Sequence, residues 1–232
     1  MIITITLNPA IDRTLIIDEP IEFGTVNSVS QSFVEVGGRG INVSRAIRAL
    51  GGESVAMGFT GGNNGRSLKN GLTSLGIHHD FTDVAGETRV NTQLVHPDGS
   101  HTDLNEPGTV VTDEDYLRFI EKLKLYLDPH NLFVLCGRVP PGMKLKQYLK
   151  SIKIIKKAGC PLLVDCDGAT LSSVLPCKPD FIKPNTTELA KLTGLPRTHD
   201  PEEALEHVLP LRGQGAQTIC ASLGPNGAIF VF

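Results

Sequence analysis

Residues 132–166 read LFVLCGRVPPGMKLKQYLKSIKIIKKAGCPLLVDC, and they hold a complete strand–helix–strand unit. Leu132–Cys136 and Leu162–Cys166 are apolar runs of strand length, and Lys144–Ala158 between them is a helix-length segment. Two strands joined by a helix lie parallel in one sheet. The same alternation continues outward. Downstream come a strand at Asp180–Lys183, helices at Thr186–Leu192 and Pro201–Leu211, a strand at Thr218–Ser222 and a last apolar strand at 228–232. Upstream, Thr112-Asp-Glu-Asp opens a helix, since Thr112 can cap and the acids suit the positive N-terminus. Tyr116, Ile120, Leu123 and Leu127 then mark its buried face. Before it lie helices at Gly65–Leu75 and Gly40–Leu50, and strands at Val55–Phe59 and Ile2–Leu7. The pattern predicts an α/β fold, a doubly wound and mostly parallel sheet flanked by helices.

Three pieces break the alternation. Arg13–Ile17, Ser32–Val36 and Val90–Glu106 have strand character but no crossover helices. The last contains VNTQLVH and HTDLNE around Pro97-Asp98-Gly99, a hairpin signal whose alternating polarity leaves one face wet. A small β lid, with strands within 12–36 and 88–106, is expected over one edge of the main sheet.

Composition excludes several classes. With 232 residues, 40% hydrophobic and 20% charged, the chain is neither disordered nor in need of staples, and one domain over 1–232 is expected. A net charge of -3 gives no basic footprint for nucleic acid or an anionic membrane. The opening MIITITLNPAID shows neither a signal peptide nor a membrane span. Five cysteines, at 136, 160, 166, 177 and 220, form no C-x-x-C pair, which suits reduced thiols in a cytoplasmic protein. The histidines show no H-x-x-x-H spacing, so no structural zinc is expected.

Candidate chemistry lies at the ends of these elements. Val36-Gly-Gly-Arg-Gly-Ile-Asn42 runs glycines into a helix start, where free backbone N–H groups suit an anionic or polyhydroxy ligand. A tight strand-to-helix turn explains the glycines equally well. Asp12 follows the first strand, either lining a ligand crevice or forming a turn. Asn185 and Glu188 have capping-box spacing, but could also meet a nucleotide phosphate and, through water, Mg²⁺. Ser222-Leu-Gly-Pro-Asn-Gly227 is a turn between strands or a loop that lets a phosphate approach. Arg89 and Asn91 stand at the mouth of the hairpin, where an arginine is either solvated or a cap for a bound phosphate.

In order along nearly the whole chain, LNPAID (7–12), GGRGIN (37–42), ETRVN (87–91), VPPG (139–142), IKPNTTEL (182–189) and SLGPNGA (222–228) resemble the ribokinase-like, PfkB-type sugar kinases. The similarity is to the branch containing 1-phosphofructokinase, tagatose-6-phosphate kinase and the minor 6-phosphofructokinase. It implies ATP and Mg²⁺ as cofactors, a β lid over the sugar and a homodimer formed through that lid. Asp12, Gly38, Arg39 and Asn42 would hold the sugar hydroxyls and Arg89 the substrate's existing phosphate, with Asn91 a further substrate-binding residue. Lys183, Asn185 and Glu188 would face ATP phosphates and magnesium, while Ser222, Gly224 and Gly227 would form part of the nucleotide loop. The acceptor implied first is fructose 1-phosphate, giving fructose 1,6-bisphosphate. Tagatose 6-phosphate and fructose 6-phosphate are alternatives. Acceptors without a phosphate fit less well, having nothing for Arg89 to hold.

The chain departs from the family pattern in three places. Arg39 stands where the family usually has lysine, keeping charge but not shape. Arg138, in Cys-Gly-Arg-Val-Pro-Pro-Gly142, stands where many members carry a small serine, and its bulk either contacts the sugar phosphate or obstructs it. The residues to Phe232 do not include the Gly-Ala-Gly-Asp segment that carries the family's catalytic Asp and anion hole. Residues 1–232 alone are therefore expected to be inactive. A non-catalytic remnant that binds sugar phosphate or dimerises is the competing expectation.

Overall fold

The computed structural model describes residues 1–232. Ile2–Thr6 forms β1, followed by two strands that leave the main sheet, β2 (Ala10–Ile16) and β3 (Gln31–Gly37). Helix α1 (Arg39–Ala49), β4 (Ser54–Thr60), α2 (Gly62–Ser74) and β5 (His78–Asp83) return to it. The hairpin β6 (Arg89–Val95) and β7 (His101–Asn105) leaves again. Then α3 (Asp113–Lys124), β8 (Leu132–Cys136), α4 (Leu145–Lys157), β9 (Leu162–Asp165), α5 (Gly168–Val174) and β10 (Phe181–Ile182) follow. The chain closes with α6 (Thr186–Thr193), α7 (Pro201–Arg212), β11 (Thr218–Ser222) and β12 (Ala228–Val231).

The main sheet has eight strands in the order β12-β11-β10-β9-β8-β1-β4-β5, and the second sheet has four in the order β3-β2-β6-β7. All neighbours in the main sheet are parallel except β12 against β11. Side chains alternate across it, and the alternation separates two apolar clusters. Val55, Met57 and Phe59 join the larger cluster with Phe119, Tyr148, Ile152 and Val208, whereas Ala56 joins the smaller one with Ile41, Leu68 and Leu72. Ile11 and Val36 belong to that second cluster, so the foot of the four-stranded lid is packed on α1 and α2. No helix is long and apolar enough to cross a membrane.

The doubly wound, mostly parallel sheet and the lid match the reading from sequence, as do the hairpin and the Thr112 cap, which Asp115 completes as a capping box. Three elements differ. His78–Asp83 was not anticipated, because an edge strand needs few apolar residues and this one buries only Phe81 and Thr82. Helix α2 starts at Gly62 instead of Gly65, since the Glu87 carboxylate accepts the N–H groups of Asn63 and Asn64, each at 2.9 Å. That cap comes from a distant segment. Gly168–Val174 is short and rich in weak helix formers, and Asp167 starts it by accepting the Thr170 N–H at 3.0 Å.

Candidate active site

Neighbouring strands β1 and β8 mark where the sheet order reverses, since the chain builds towards β5 on one side and towards β12 on the other. Ligand crevices in open α/β sheets lie beyond the carboxyl ends of strands at such a point. Asn8 follows β1 and Arg138 follows β8, and both line a cleft of about 570 Å³. The lid's foot closes its other side with Arg89, Asn105 and Glu106. This volume lies within the range of small-molecule sites, roughly 300–1,000 Å³.

Arg89 is pinned to the base of the cleft. Its Nη2 donates to the Asn8 carbonyl at 3.0 Å and its Nη1 to the Glu106 carbonyl at 3.3 Å, while its buried Nε has no partner. Burial draws its pKa below the ordinary arginine value; Asp12 and Glu106 oppose this, and nearby Arg138 reinforces it. The chain's arginine ion pairs belong to Arg39, Arg45 and Arg118, so neither cleft arginine has a carboxylate of its own.

Asp12 lies within lid strand β2, in register with Glu35 and Asn91, and not in a loop after β1 as expected. Its Oδ1 accepts from Asn91 Nδ2 at 2.8 Å. The glycines beside it are forced by packing. A Cβ at Gly37 would overlap the Asp12 carboxylate, Gly38 has φ 131°, and a Cβ at Gly40 would sit 2.5 Å from Thr6 Oγ1. The tight-turn reading of GGRGIN therefore holds. Thr6 Oγ1 and Asn91 Oδ1, neighbours of this turn and of Asp12, are buried without partners. Orphaned polar atoms are costly unless a ligand or water satisfies them, and a polyhydroxy compound can do so. Asn42 is exposed in the first turn of α1.

Arg39, at the start of α1, reaches the carboxyl ends of later strands. Its Nη1 lies 3.1 Å from Asp165 Oδ1 and 3.5 Å from Glu188 Oε1, and Lys183 Nζ lies 3.5 Å from Asp165 Oδ2. Burial lowers the Arg39 pKa, but the two carboxylates outweigh it and the net shift is upward. Glu188 also completes the capping box of α6, accepting from Asn185 N at 3.0 Å while Asn185 Oδ1 accepts from Glu188 N at 2.9 Å. Asp165, the last residue of β9, was missed as a site residue. The signal was its place at the end of the apolar run LLVD.

Beneath this network the Cys136 thiol is pushed up to about 12, by burial first and then by the Asp165 charge. All five cysteines are free.

The segment from Ser222 to Gly227 is a turn linking β11 to β12, with positive φ at Gly224 and Gly227. Ser222 N donates to the Pro184 carbonyl at 3.0 Å, and Ser222 bridges to Asn185. Lys183, Asn185 and Ser222 are thus brought together. The backbone at Gly227 is open, with nothing within 4 Å of a Cβ placed there.

The chain matches the model of the pfkB family of carbohydrate kinases over residues 3–231. It is similar to phosphofructokinase-2 from Escherichia coli in complex with substrates and products, at 29% identity and TM-score 0.93, covering 99% of this chain and 75% of that one. The same enzyme with fructose-6-phosphate gives 28% identity, TM-score 0.91 and coverage of 99% and 76%. A Thermotoga maritima protein described as a possible 1-phosphofructokinase shares 29% identity at TM-score 0.82, with 96% and 71% covered. Arabidopsis thaliana ribokinase with ribose and ATP shares the fold, at 20% identity, TM-score 0.78 and coverage of 100% and 74%.

Proposed function

The chain belongs to the pfkB family of carbohydrate kinases, and we propose that its acceptor is a phosphorylated ketohexose, fructose 1-phosphate before fructose 6-phosphate or tagatose 6-phosphate. The observation that carries this reading is the cleft at the strand reversal, lined by two arginines without ion-pair partners, one from the lid and one from the main sheet. A free sugar would leave both charges unanswered. Asp12, Asn91 and the Gly38–Asn42 turn would orient hydroxyls, and Arg89 would hold the existing phosphate.

Lys183, Asn185, Ser222 and the glycines at 224 and 227 would receive the ATP phosphates. The oxygen donors fit magnesium: no cluster of three His, Cys, Asp or Glu forms a cage, but Mg²⁺ is commonly held by one or two carboxylates together with substrate phosphates. Glu188 through water, with Asp165, would supply them. When bound, the metal would neutralise charge on the transferring phosphoryl group. Arg39 already fixes the positions of both carboxylates.

None of the site's carboxylates is poised as a base. Asp12 is bonded to Asn91, Asp165 is paired with Arg39 and Lys183, and Glu188 caps α6. A positioned base is worth roughly 10²–10⁴ in rate and an oxyanion donor about 10²–10³. Residues 1–232 by themselves would therefore bind the acceptor but turn it over poorly, whereas the same chain carried through a Gly-Ala-Gly-Asp segment would be active. The lid offers a surface for a second copy: Val34 and Leu104 are exposed on the lid face that also carries Leu15 and Leu94.

The test is ADP release by both chain lengths with fructose 1-phosphate, fructose 6-phosphate, tagatose 6-phosphate and free fructose. The expected result is activity in the longer chain only, highest with fructose 1-phosphate. Preference for free fructose would overturn the acceptor assignment, and comparable turnover by residues 1–232 would show that another residue supplies the base.

A further inference from the structure

Arg138 and Arg89 approach one cleft from separately built parts of the molecule. Arg89 begins lid strand β6, while Arg138 stands on the segment after β8. That segment is stiff. Gly137 N donates to the Asp165 carbonyl at 2.8 Å, the Pro141 carbonyl accepts from Val111 N at 2.8 Å, and Gly142 has φ 79° with no room for a side chain, a Cβ lying 2.6 Å from the Val111 carbonyl. The lid arginine is equally fixed, by the Asn8 and Glu106 carbonyls. Glu106 is the one acidic residue of the cleft, and its Oε2 is engaged by the Val90 N–H at 2.8 Å.

We propose that Arg138 is a specificity residue that completes a two-guanidinium clamp with Arg89, the two gripping one phosphate dianion between sheet and lid. This rests on the acceptor reading above and deepens it. Two like charges held near each other at a cleft are unfavourable until an anion enters. The pull of Arg138 on the Arg89 pKa agrees with that proximity. A phosphate monoester near pH 7 carries close to two negative charges and three acceptor oxygens, and guanidinium groups bind such oxygens in pairs. A clamp with one jaw on the lid also ties lid position to phosphate binding, so the phosphate would order the lid as it is recognised. A serine at this position would leave Arg89 alone and the lid without that strut.

Calorimetric titration of the full chain and of Arg138→Ser, Arg138→Lys, Arg89→Ala and the Arg89→Ala/Arg138→Ser double variant tests the clamp. The probes are fructose 1-phosphate, fructose 6-phosphate, free fructose and inorganic phosphate. Arg138 is exposed, so the serine variant is expected to keep the native melting temperature. Loss of a charge-assisted contact should weaken both sugar phosphates by roughly 10- to 150-fold, leave free fructose unchanged and affect the lysine variant less. The double variant should lose less than the product of the single losses, because both groups hold one phosphate. Unchanged or tighter sugar-phosphate binding in Arg138→Ser, with Arg89→Ala still impaired, would overturn the clamp and leave the acceptor reading standing. Loss of inorganic phosphate binding in Arg138→Ser, in a protein that binds no sugar phosphate, would support the clamp and overturn the acceptor reading.

Discussion

Arg39 and Arg89 stand at the same end of the main sheet, and their charges are answered in opposite ways. Arg39 is ion-paired with Asp165 and Glu188, and Lys183 shares the first of these. Arg89 touches only backbone carbonyls and forms no ion pair: the one carboxylate of its cleft, Glu106, is engaged by the Val90 N–H, and Arg138 stands in the same cleft. A guanidinium already neutralised by the protein organises the protein, and one that is not neutralised is ready for an anion. The comparison predicts that removing charge on the Arg89 side costs binding, while removing it on the Arg39 side costs stability.

The largest effect should come from Arg89→Ala. A lost charge-assisted pair weakens binding by about 1.5–3 kcal/mol, so the KM for a phosphorylated sugar in an active chain should rise by roughly 10- to 150-fold. The KM for ATP should hardly move. Steady-state kinetics with each substrate varied in turn checks this. An unchanged sugar KM with weakened ATP binding would place Arg89 with the nucleotide and break the comparison.

Asp165→Ala should cost stability even without ligand, in addition to removing Asp165 from its proposed role at the magnesium. It removes the shared counter-ion of two cations that are 44% and 40% exposed, so its cost lies between that of a surface pair and a buried one, about 1–2 kcal/mol. For a domain of this size that is roughly 2–8 °C in Tm, read by calorimetry without ligand. Full retention of Tm with loss of ATP affinity alone would make Asp165 a ligand-binding group and not an organiser.

These two regions also show what sequence can carry. LFVLC and LLVDC announce buried parallel strands by themselves, because a strand covered on both faces needs only apolar residues. The fold was legible wherever local pattern and burial agree. It was not legible at β5, an edge strand with the sequence HHDFTD, nor at the start of α2, which is set by Glu87 from another segment. The candidate site divides similarly. GGRGIN and PNTTE could be found as motifs, and their turn and capping roles are visible in the structure. The pairing of Arg39 with Asp165, 126 positions apart, has no local signature. Nor could spacing decide whether Arg138 contacts or obstructs, since that depends on where the lid brings Arg89.

A smaller effect should appear at alkaline pH beneath the Arg39 network. Burial, then Asp165, pushes the Cys136 thiol up to about 12, while Arg39 and Lys183 pull it down. Because the folded pKa is raised above the unfolded value, near 8.5, the unfolded chain loses this proton first as pH rises. The thiol's contribution is full below the unfolded pKa and is lost between it and the folded value. Urea denaturation should therefore show stability falling more steeply in the wild-type chain than in Cys136→Ala, by about 1 kcal/mol between pH 9 and 10. Parallel slopes for the two chains would show that the thiol titrates freely, and that the surroundings of Cys136 are wetter than its burial indicates.

Glu188 gives the finest cut, because it belongs to both halves of the question. Its Oε2 accepts the Asn185 N–H while its Oε1 faces Arg39 at 3.5 Å. Glutamine keeps the first contact, since its amide oxygen completes a capping box as well as a carboxylate does. It gives up only the second, an ion pair with a half-exposed arginine, worth about 0–1 kcal/mol. Glu188→Gln should thus melt within about 4 °C of wild type. Glu188→Ala loses the cap as well and should fall by a further 1 kcal/mol or so. In an active chain the glutamine variant should need more magnesium for half-maximal turnover, because an amide is a poor substitute for a carboxylate beside a hydrated cation. Thermal melts of both variants and magnesium titrations of turnover read the two roles separately. A glutamine variant as unstable as the alanine one would move the weight from the cap to the ion pair. One with normal turnover at limiting magnesium would leave Glu188 as a cap and assign the metal's carboxylate to Asp165.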